Sequence, residues 1–192
     1  MSTNRIVSGA VISLFLLGAL LSIPPANAGL LGTDLRPYFS VGPSYSNEVN
    51  SHYEVNSGYG VAFGLEAERS QRFSALFRVE WNRMHLRPNP ESLALLISDN
   101  RTTATWSLGA RTYLNTRNRV RSYVDGGVGV GMVDYVSRGG IIPLSLGGLA
   151  VTLRVGISSA APGRPGFFLD SGVEMVVDSP DLIPVRLGVV FP

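Results

Sequence analysis

The clearest signal in the sequence is a strict alternation of apolar residues with polar or small ones. It recurs in eight segments, near residues 36–45, 59–68, 73–82, 104–111, 123–132, 149–158, 167–175 and 185–191. In the third segment, Phe73, Phe77 and Trp81 share one face, whereas Arg78 and Glu80 share the other. A period of two residues is that of a β-strand whose two faces meet different surroundings. The pattern therefore predicts an all-β protein with eight strands.

The links between these segments alternate in length. Short polar turns lie at residues 70–72, 115–118 and 160–165, and longer links lie at residues 47–57, 87–101, 137–148 and 178–183. An antiparallel up-and-down meander with short turns at one end and longer loops at the other is typical of outer-membrane barrels. Eight strands also use up the chain after residue 29, which is too short for a porin of about sixteen strands.

One longer link contains an apolar run at residues 139–146. Two interpretations are open for it. Strand six begins earlier than its alternation indicates, or the run forms an apolar patch that binds lipid, a partner or a small ligand.

Two kinds of closed barrel fit the alternation, a soluble lipocalin with an apolar inside and a membrane barrel with an apolar outside. The polar face favours the membrane barrel, because it is crowded with glycine and carries six arginines against six carboxylates. Balanced charges suit an enclosed network in which every buried charge has a partner, and arginine suits such pairing better than lysine. The expected interior network comprises Arg36, Glu66, Glu68, Arg78, Glu80, Arg111, Arg121, Asp125, Arg154, Asp170, Glu174 and Arg186.

Aromatic residues of the apolar face cluster mainly toward the ends of the segments, as the aromatic girdles of membrane barrels do. Trp106 and Phe63 lie deeper. The lipid-facing or girdle residues expected from the sequence are Tyr45, Tyr59, Phe73, Trp81, Trp106, Phe167 and Phe191. Because hydrocarbon leaves no partner for an unpaired backbone group, such a sheet has to close, with strand eight pairing to strand one. The predicted fold is thus an eight-stranded antiparallel transmembrane β-barrel.

The N-terminus has the features of a secretory signal peptide. Arg5 gives a positive start, residues 6–23 are apolar, Pro24 and Pro25 follow, and residues 26–28 form an Ala-x-Ala site. The alternative is an uncleaved anchor, since about eighteen apolar residues nearly span a bilayer. We expect residues 1–28 to be cleaved and residues 29–192 to form the barrel domain. Residue 29 is glycine and not cysteine, which argues against a lipoprotein.

Composition excludes several kinds of chemistry. The 192 residues contain no cysteine and two histidines, so no disulfide, thiolate or typical zinc site is expected. The formal net charge is +2 without any basic run, which argues against nucleic-acid binding.

The whole pattern, together with the glycine-rich fifth segment at residues 123–131 and the near-terminal Phe191, resembles the small outer-membrane barrels of the OmpA/OmpX/OmpW-like superfamily. The resemblance covers residues 30–192. It implies a porin-like cell-envelope protein of a Gram-negative bacterium. Its expected partners are outer-membrane lipids, lipopolysaccharide and the barrel-assembly machinery. That machinery usually reads a terminal aromatic residue, whereas here Pro192 follows Phe191.

Function is less constrained than fold. We expect a monomeric, non-enzymatic barrel with a structural or surface-interaction role and without cofactor or metal. Alternatives are a lipid-modifying enzyme that uses His52, Ser98 and Asp99, and a narrow channel for small or hydrophobic solutes. The lumen of an eight-stranded barrel is just wide enough to be filled by side chains, and interior Tyr38, Tyr113, Tyr123, Tyr135 and Phe168 add bulk, which disfavours a channel. His85 is interpreted as an interfacial residue.

Overall fold

The computed structural model describes residues 34–46, 53–88, 100–115, 119–135, 144–159, 164–177 and 181–192. The alternating segments form β1 (Asp34–Tyr45), β2 (Tyr53–Ser70), β3 (Phe73–Pro88), β4 (Asn100–Tyr113), β5 (Arg121–Tyr135), β6 (Leu144–Ser158), β7 (Gly166–Val176) and β8 (Ile183–Val190). Each strand pairs antiparallel with the next, and β8 pairs with β1 to close the barrel. The predicted eight-stranded up-and-down barrel is confirmed. No helix among the described residues is long and apolar enough to cross a membrane.

Several strands extend further than the alternation indicated. β2 begins at Tyr53 and β3 ends at Pro88, and β4 begins at Asn100, so parts of two expected long links are paired strand. β6 begins at Leu144, which favours the early start of strand six over a loop patch for residues 144–146, whereas residues 139–143 lie outside the described part. Backbone pairing continues as long as a neighbouring strand offers partners, even where the side chains no longer alternate.

The two faces of the barrel differ in the way the alternation predicts. On the outside, Leu108, Val128, Leu153, Phe167 and Leu187 each expose more than half of their surface. Residues of the opposite parity point into the lumen, where most are buried. The chain is therefore apolar on its outer surface and polar in its centre, the reverse of a soluble barrel.

Interior glycines make room for interior rings. Tyr38 lies across the strand pair from Gly64, Tyr123 from Gly156, and Phe168 from Gly188. A Cβ atom at Gly64, Gly156 or Gly188 would overlap the ring opposite it. Each ring thus covers the backbone of a neighbouring glycine, a pairing that strengthens curved sheets.

The seam between β1 and β8 is incomplete. Tyr38–Val41 pair with Leu187–Val190, and pairing resumes at Ser44 with Pro184, but Gly42 and Pro43 have no partner in β8. Proline lacks the N–H that a ladder needs, and both strands carry it near the gap, as Pro43 and Pro184. The register is the same on both sides of the gap, so the interruption is a local loss of bonds without a shift of the strands.

Candidate functional site: an ion-pair network in the lumen

The lumen has two distinguishable ends. We call the end with the short links β2–β3, β4–β5 and β6–β7 the turn end, and the opposite end, where the other four links lie, the loop end. Strands β1 to β8 place the twelve charged residues expected in the interior on inward-facing positions, and those residues form three clusters along the axis.

The turn-end cluster contains Arg36, Glu68 and Arg121. Arg36 Nη1 lies 3.5 Å from Glu68 Oε2, and Arg121 Nη1 lies 3.9 Å from Glu68 Oε1. Arg36 also donates through Nη2 to the backbone oxygen of Arg164, at 3.1 Å, in the link between β6 and β7. Glu68 keeps some exposure, with 10% of its side chain accessible, so this cluster borders the solvent.

The central cluster contains Glu66, Arg78, Arg111 and Asp125. Arg111 donates to Glu66 Oε2 at 3.2 Å and to Asp125 Oδ2 at 2.9 Å, while Arg78 donates to both oxygens of Asp125 at 3.1 and 3.3 Å. Two guanidinium groups therefore share one buried carboxylate. Charge-assisted bonds of this two-point kind are the strong ones inside a protein. Arg78 also donates through Nε to the hydroxyl of Tyr38 at 3.0 Å.

The loop-end cluster contains Glu80, Arg154, Asp170, Glu174 and Arg186. Glu80 lies between two cations: Oε1 accepts from Arg186 Nη2 at 2.7 Å, and Oε2 accepts from Arg154 Nη2. Arg154 also donates to Asp170 Oδ1 at 3.2 Å and lies 3.8 Å from Glu174 Oε2. All five side chains are buried, and the two guanidinium groups lie among three carboxylates, of which Glu174 contacts its cation Arg154 only at 3.8 Å.

Arg186 also donates hydrogen bonds to backbone oxygens at the gap in the β1–β8 seam. Its Nη1 donates to the backbone oxygens of Gly42, Pro43 and Val185 at 3.1, 2.7 and 3.2 Å. Its Nη2 donates to Ser44 Oγ at 2.9 Å. These are the carbonyl groups and the strand positions where backbone pairing stops, so one side chain supplies the donors that β1 and β8 lack there.

Two interior tyrosines connect the three clusters. The ring of Tyr113 lies 3.9 Å from the guanidinium carbon of Arg121, and its hydroxyl donates to Glu66 Oε1 at 2.7 Å. The ring of Tyr123 lies 3.9 Å from the guanidinium carbon of Arg111, and its hydroxyl donates to Asp170 Oδ2 at 2.9 Å. Each tyrosine thus stacks on a cation of one cluster and bonds the carboxylate of the next.

Apolar side chains also fill two parts of the lumen. In the turn-end half, Leu76, Phe168 and Val190 pack with the interior tyrosines, beside the charged clusters. At the loop end, Val133, Ala150 and Val176 form a second buried cluster, which the sequence analysis did not anticipate. Continuing the inward parity of β5, β6 and β7 past the charged residues would have identified it.

Arg101 is a seventh interior arginine that the sequence analysis missed. It is fully buried, and its backbone pairs with Met84 and Tyr135 at the loop end. Arg101 falls in the expected long link of residues 87–101, whereas in the structure it opens the inward series Arg101, Thr103 and Thr105 of β4. The described lumen therefore holds seven guanidinium groups against six carboxylates.

The residues expected on the outside lie there at different heights. Phe73 and Phe167 are exposed near the turn end, and Phe191 follows β8 at that same end. Tyr59 and Trp81 stack toward the loop end, with ring centroids 5.8 Å apart, and Tyr45 is exposed at the loop end of β1. Trp106 lies in the middle of β4, beside Val79 and Val130, which is too deep for a girdle.

The candidate catalytic residues His52, Ser98 and Asp99 lie outside the described residues, as does the expected signal peptide. His85 is exposed at the loop end of β3. The side chains of Tyr135 and of the apolar residues 144–146 are not described. Within the described ranges, no three His, Cys, Asp or Glu side chains are grouped in a way that could hold a metal.

The interior packing leaves little free space beside the central cluster. A cavity of about 10 Å³ is lined by Leu76, Arg78, Ser107, Asp125 and Thr152, and by three glycines. That volume corresponds to about one water molecule.

No family model matches the sequence, and no curated protein matches it. Solved structures share the fold. Neisserial surface protein A is 12% identical over 82% of this chain and 95% of that chain, with a TM-score of 0.57. Ail, the attachment invasion locus protein of Yersinia pestis, is 14% identical over 81% and 97%, with a TM-score of 0.51. The N-terminal β-barrel domain of Pseudomonas aeruginosa OprF is 12% identical over 82% and 96%, with a TM-score of 0.50. The expected resemblance to small eight-stranded outer-membrane barrels is confirmed at the level of the fold.

Proposed function

We propose that the protein is exported to a bacterial outer membrane. There it acts as a non-enzymatic barrel with a structural or surface-interaction role. Its partners are the membrane lipids, lipopolysaccharide and, during insertion, the barrel-assembly machinery. One observation carries the proposal: apolar side chains cover the outer surface while paired charges fill the lumen.

This arrangement suits hydrocarbon and not water. In water, exposed residues such as Leu108, Val128 and Leu153 would form a large apolar surface of the kind that soluble monomers avoid. In a bilayer the same side chains meet acyl chains, and closure of β8 onto β1 leaves no open sheet edge.

The packing of the lumen supports the proposal that the barrel does not conduct ions. Three ion-pair clusters and two apolar layers occupy the interior, and the cavity beside Arg78 has room for about one water. Opening a path would require breaking buried ion pairs such as those of Glu80, whose loss leaves uncompensated charges. We expect no single-channel currents when the purified protein is added to a planar bilayer.

Membrane insertion is tested by substituting two leucines that are equally exposed but are expected at different depths in the bilayer. Leu108 lies within β4 and is 66% exposed, whereas Leu114 follows the turn end of that strand and is 67% exposed. In a bilayer, Leu108→Arg is expected to lower the free energy of unfolding by about 2–4 kcal/mol and Leu114→Arg by about 0–1 kcal/mol. Urea titration in lipid vesicles measures both. Equal, negligible effects of the two would show that water surrounds the barrel and would refute the proposal.

Localisation is tested by fractionating cells that express the full chain and by comparing its gel mobility with and without boiling. We expect the protein in the outer-membrane fraction, with a faster folded band that shifts on heating. Recovery in the soluble periplasmic fraction would contradict membrane insertion.

The non-enzymatic role is tested separately with His52→Ala. Because we assign no catalysis to the barrel, the lipid A profile of cells expressing this variant is expected to equal that of cells expressing the wild type. A profile that changes with wild-type expression and returns to the vector-only pattern with the variant would establish a lipid-modifying activity.

A further inference from the structure

The turn end of the barrel carries a group of exposed arginines whose side chains take no part in the interior network. Arg69 lies at the end of β2, Arg72 in the β2–β3 turn, Arg119 just before β5, and Arg164 just before β7. All four are exposed, and none forms an ion pair among the described residues. We call these four residues the turn-end arginines.

Each of the three short links sets a turn-end arginine beside an exposed apolar side chain. Arg72 precedes Phe73, Arg119 precedes Val120, and Arg164 lies three residues before Phe167. Leu114, at the start of the β4–β5 link, is also exposed. The guanidinium groups thus stand next to the rim of the apolar outer surface, where a long side chain can bury its stem and keep its charge in the polar layer.

The links at this end carry charged residues of one sign. The links at residues 71–72, 114–120 and 159–165 contain Arg72, Arg117, Arg119 and Arg164 and no Asp or Glu. The links of the loop end show the opposite bias, for residues 46–52, 89–99, 136–143 and 177–182 contain five acids and one arginine. Those residues are Glu48, Glu91, Asp99, Asp178, Asp181 and Arg138.

We propose that the turn-end arginines bind the phosphate groups of anionic phospholipids in the leaflet that surrounds the turn end. This inference rests on the proposed membrane insertion. A guanidinium group forms two-point hydrogen bonds with a phosphate, and basic residues beside a bilayer surface are attracted to anionic headgroups. The adjoining apolar rim sets the arginines at headgroup depth. Contacts between arginine and phosphate then keep the turn end at the membrane interface, while the apolar side chains of the strands contact the acyl chains.

The experiment compares the full chain in vesicles of phosphatidylcholine alone and of phosphatidylcholine with phosphatidylglycerol in about a 7:3 ratio. For the wild type at low salt, the anionic lipid is expected to raise the equilibrium constant for folding on the order of tenfold or more. About 0.5 M sodium chloride is expected to remove most of that gain, because salt screens exposed charges.

Substitution of the turn-end arginines by glutamine (R69Q, R72Q, R119Q and R164Q together) is expected to reduce the gain to less than about twofold. Arg119→Gln alone is expected to lose part of the gain, and it serves if the fourfold variant does not fold. The matched control is Arg83→Gln, which removes an exposed arginine near the loop end of β3 and should keep the full gain.

The outcomes separate this inference from the function on which it rests. A wild type that folds equally well in both vesicles, or variants that retain the full gain, would overturn the phosphate site and leave membrane insertion standing. A gain lost equally in Arg83→Gln and Arg119→Gln would show an effect of net charge and would also overturn the site. Failure of the wild type to fold in either vesicle would refute both proposals.

Discussion

The β4–β5 seam and the β1–β8 seam differ in how their backbone groups find hydrogen-bond partners. β4 and β5 pair without interruption from Arg101 with Tyr135 to Tyr113 with Tyr123, and their facing interior positions are rich in glycine. β1 and β8 lose pairing at Gly42 and Pro43, and there the Arg186 side chain donates to three backbone oxygens. An interior side chain can thus supply the hydrogen-bond donors that the backbone lacks where the strand pairing is interrupted.

Arg186→Leu should have the largest effect, because it removes the donors of the broken seam and one of the two cations of Glu80. We expect the free energy of unfolding in vesicles to fall by about 3–5 kcal/mol, as for other buried pairs that lose one partner. Urea titration followed by gel mobility measures it. Arg83→Leu, at an exposed outward position, is the control and should cost little. A cost similar to that control would mean that the seam does not depend on Arg186.

Glu80→Gln tests whether the carboxylate holds Arg186 in place. Gln keeps the shape but leaves two buried guanidinium groups without their shared anion, so we expect a loss of about 2–3 kcal/mol. Glu68→Gln is the matched control, because Glu68 is partly exposed and its cations lie at 3.5 and 3.9 Å. That variant should lose less, about 1 kcal/mol, because Glu68 borders the solvent. Equal losses in the two variants would contradict the distinction between the loop-end and turn-end clusters.

Gly129→Ala tests the packing of the uninterrupted β4–β5 seam. A Cβ atom at Gly129 would overlap the backbone oxygen of Trp106 in β4, so the methyl group should force the strands apart at a cost of about 1–3 kcal/mol. Gly126→Ala on the same strand is the control, since its Cβ would meet Thr152 O at an ordinary 3.6 Å. Comparable urea midpoints for the two variants would show that the seam tolerates more bulk than its packing indicates.

Tyr123→Phe removes one hydroxyl and keeps the aromatic ring on Arg111. The bond from Tyr123 in β5 to Asp170 in β7 passes over Gly156 of β6 and belongs to neither seam, so we expect a loss of about 1–2 kcal/mol. Tyr59→Phe, on the outer surface, is the control. A loss as large as that of Arg186→Leu would indicate that the tyrosine links matter as much as the repaired seam.

Much of the fold and part of the candidate site could be predicted before the structure. The alternation in residues 73–82 identifies a strand and assigns Trp81 and Arg78 to opposite faces, because side chains along a strand point alternately to its two sides. Strand ends could not be predicted in the same way. Arg101 reads as loop in the sequence, yet Met84 and Tyr135 on the neighbouring strands pair with it.

The number of strands and the assignment of side chains to the inside or the outside follow from the sequence alone, since a period of two is a local property of consecutive residues. Which charged groups meet in the lumen follows only from the three-dimensional fold. Arg78 joins Asp125 across 47 residues, and Arg186 joins Glu80 across 106, because barrel closure and the heights of the strands set those neighbours. The use of Arg186 as a backbone partner at the β1–β8 gap depends on the same closure. The physical reason is that alternation is encoded residue by residue, whereas contact across a lumen depends on all eight strands together.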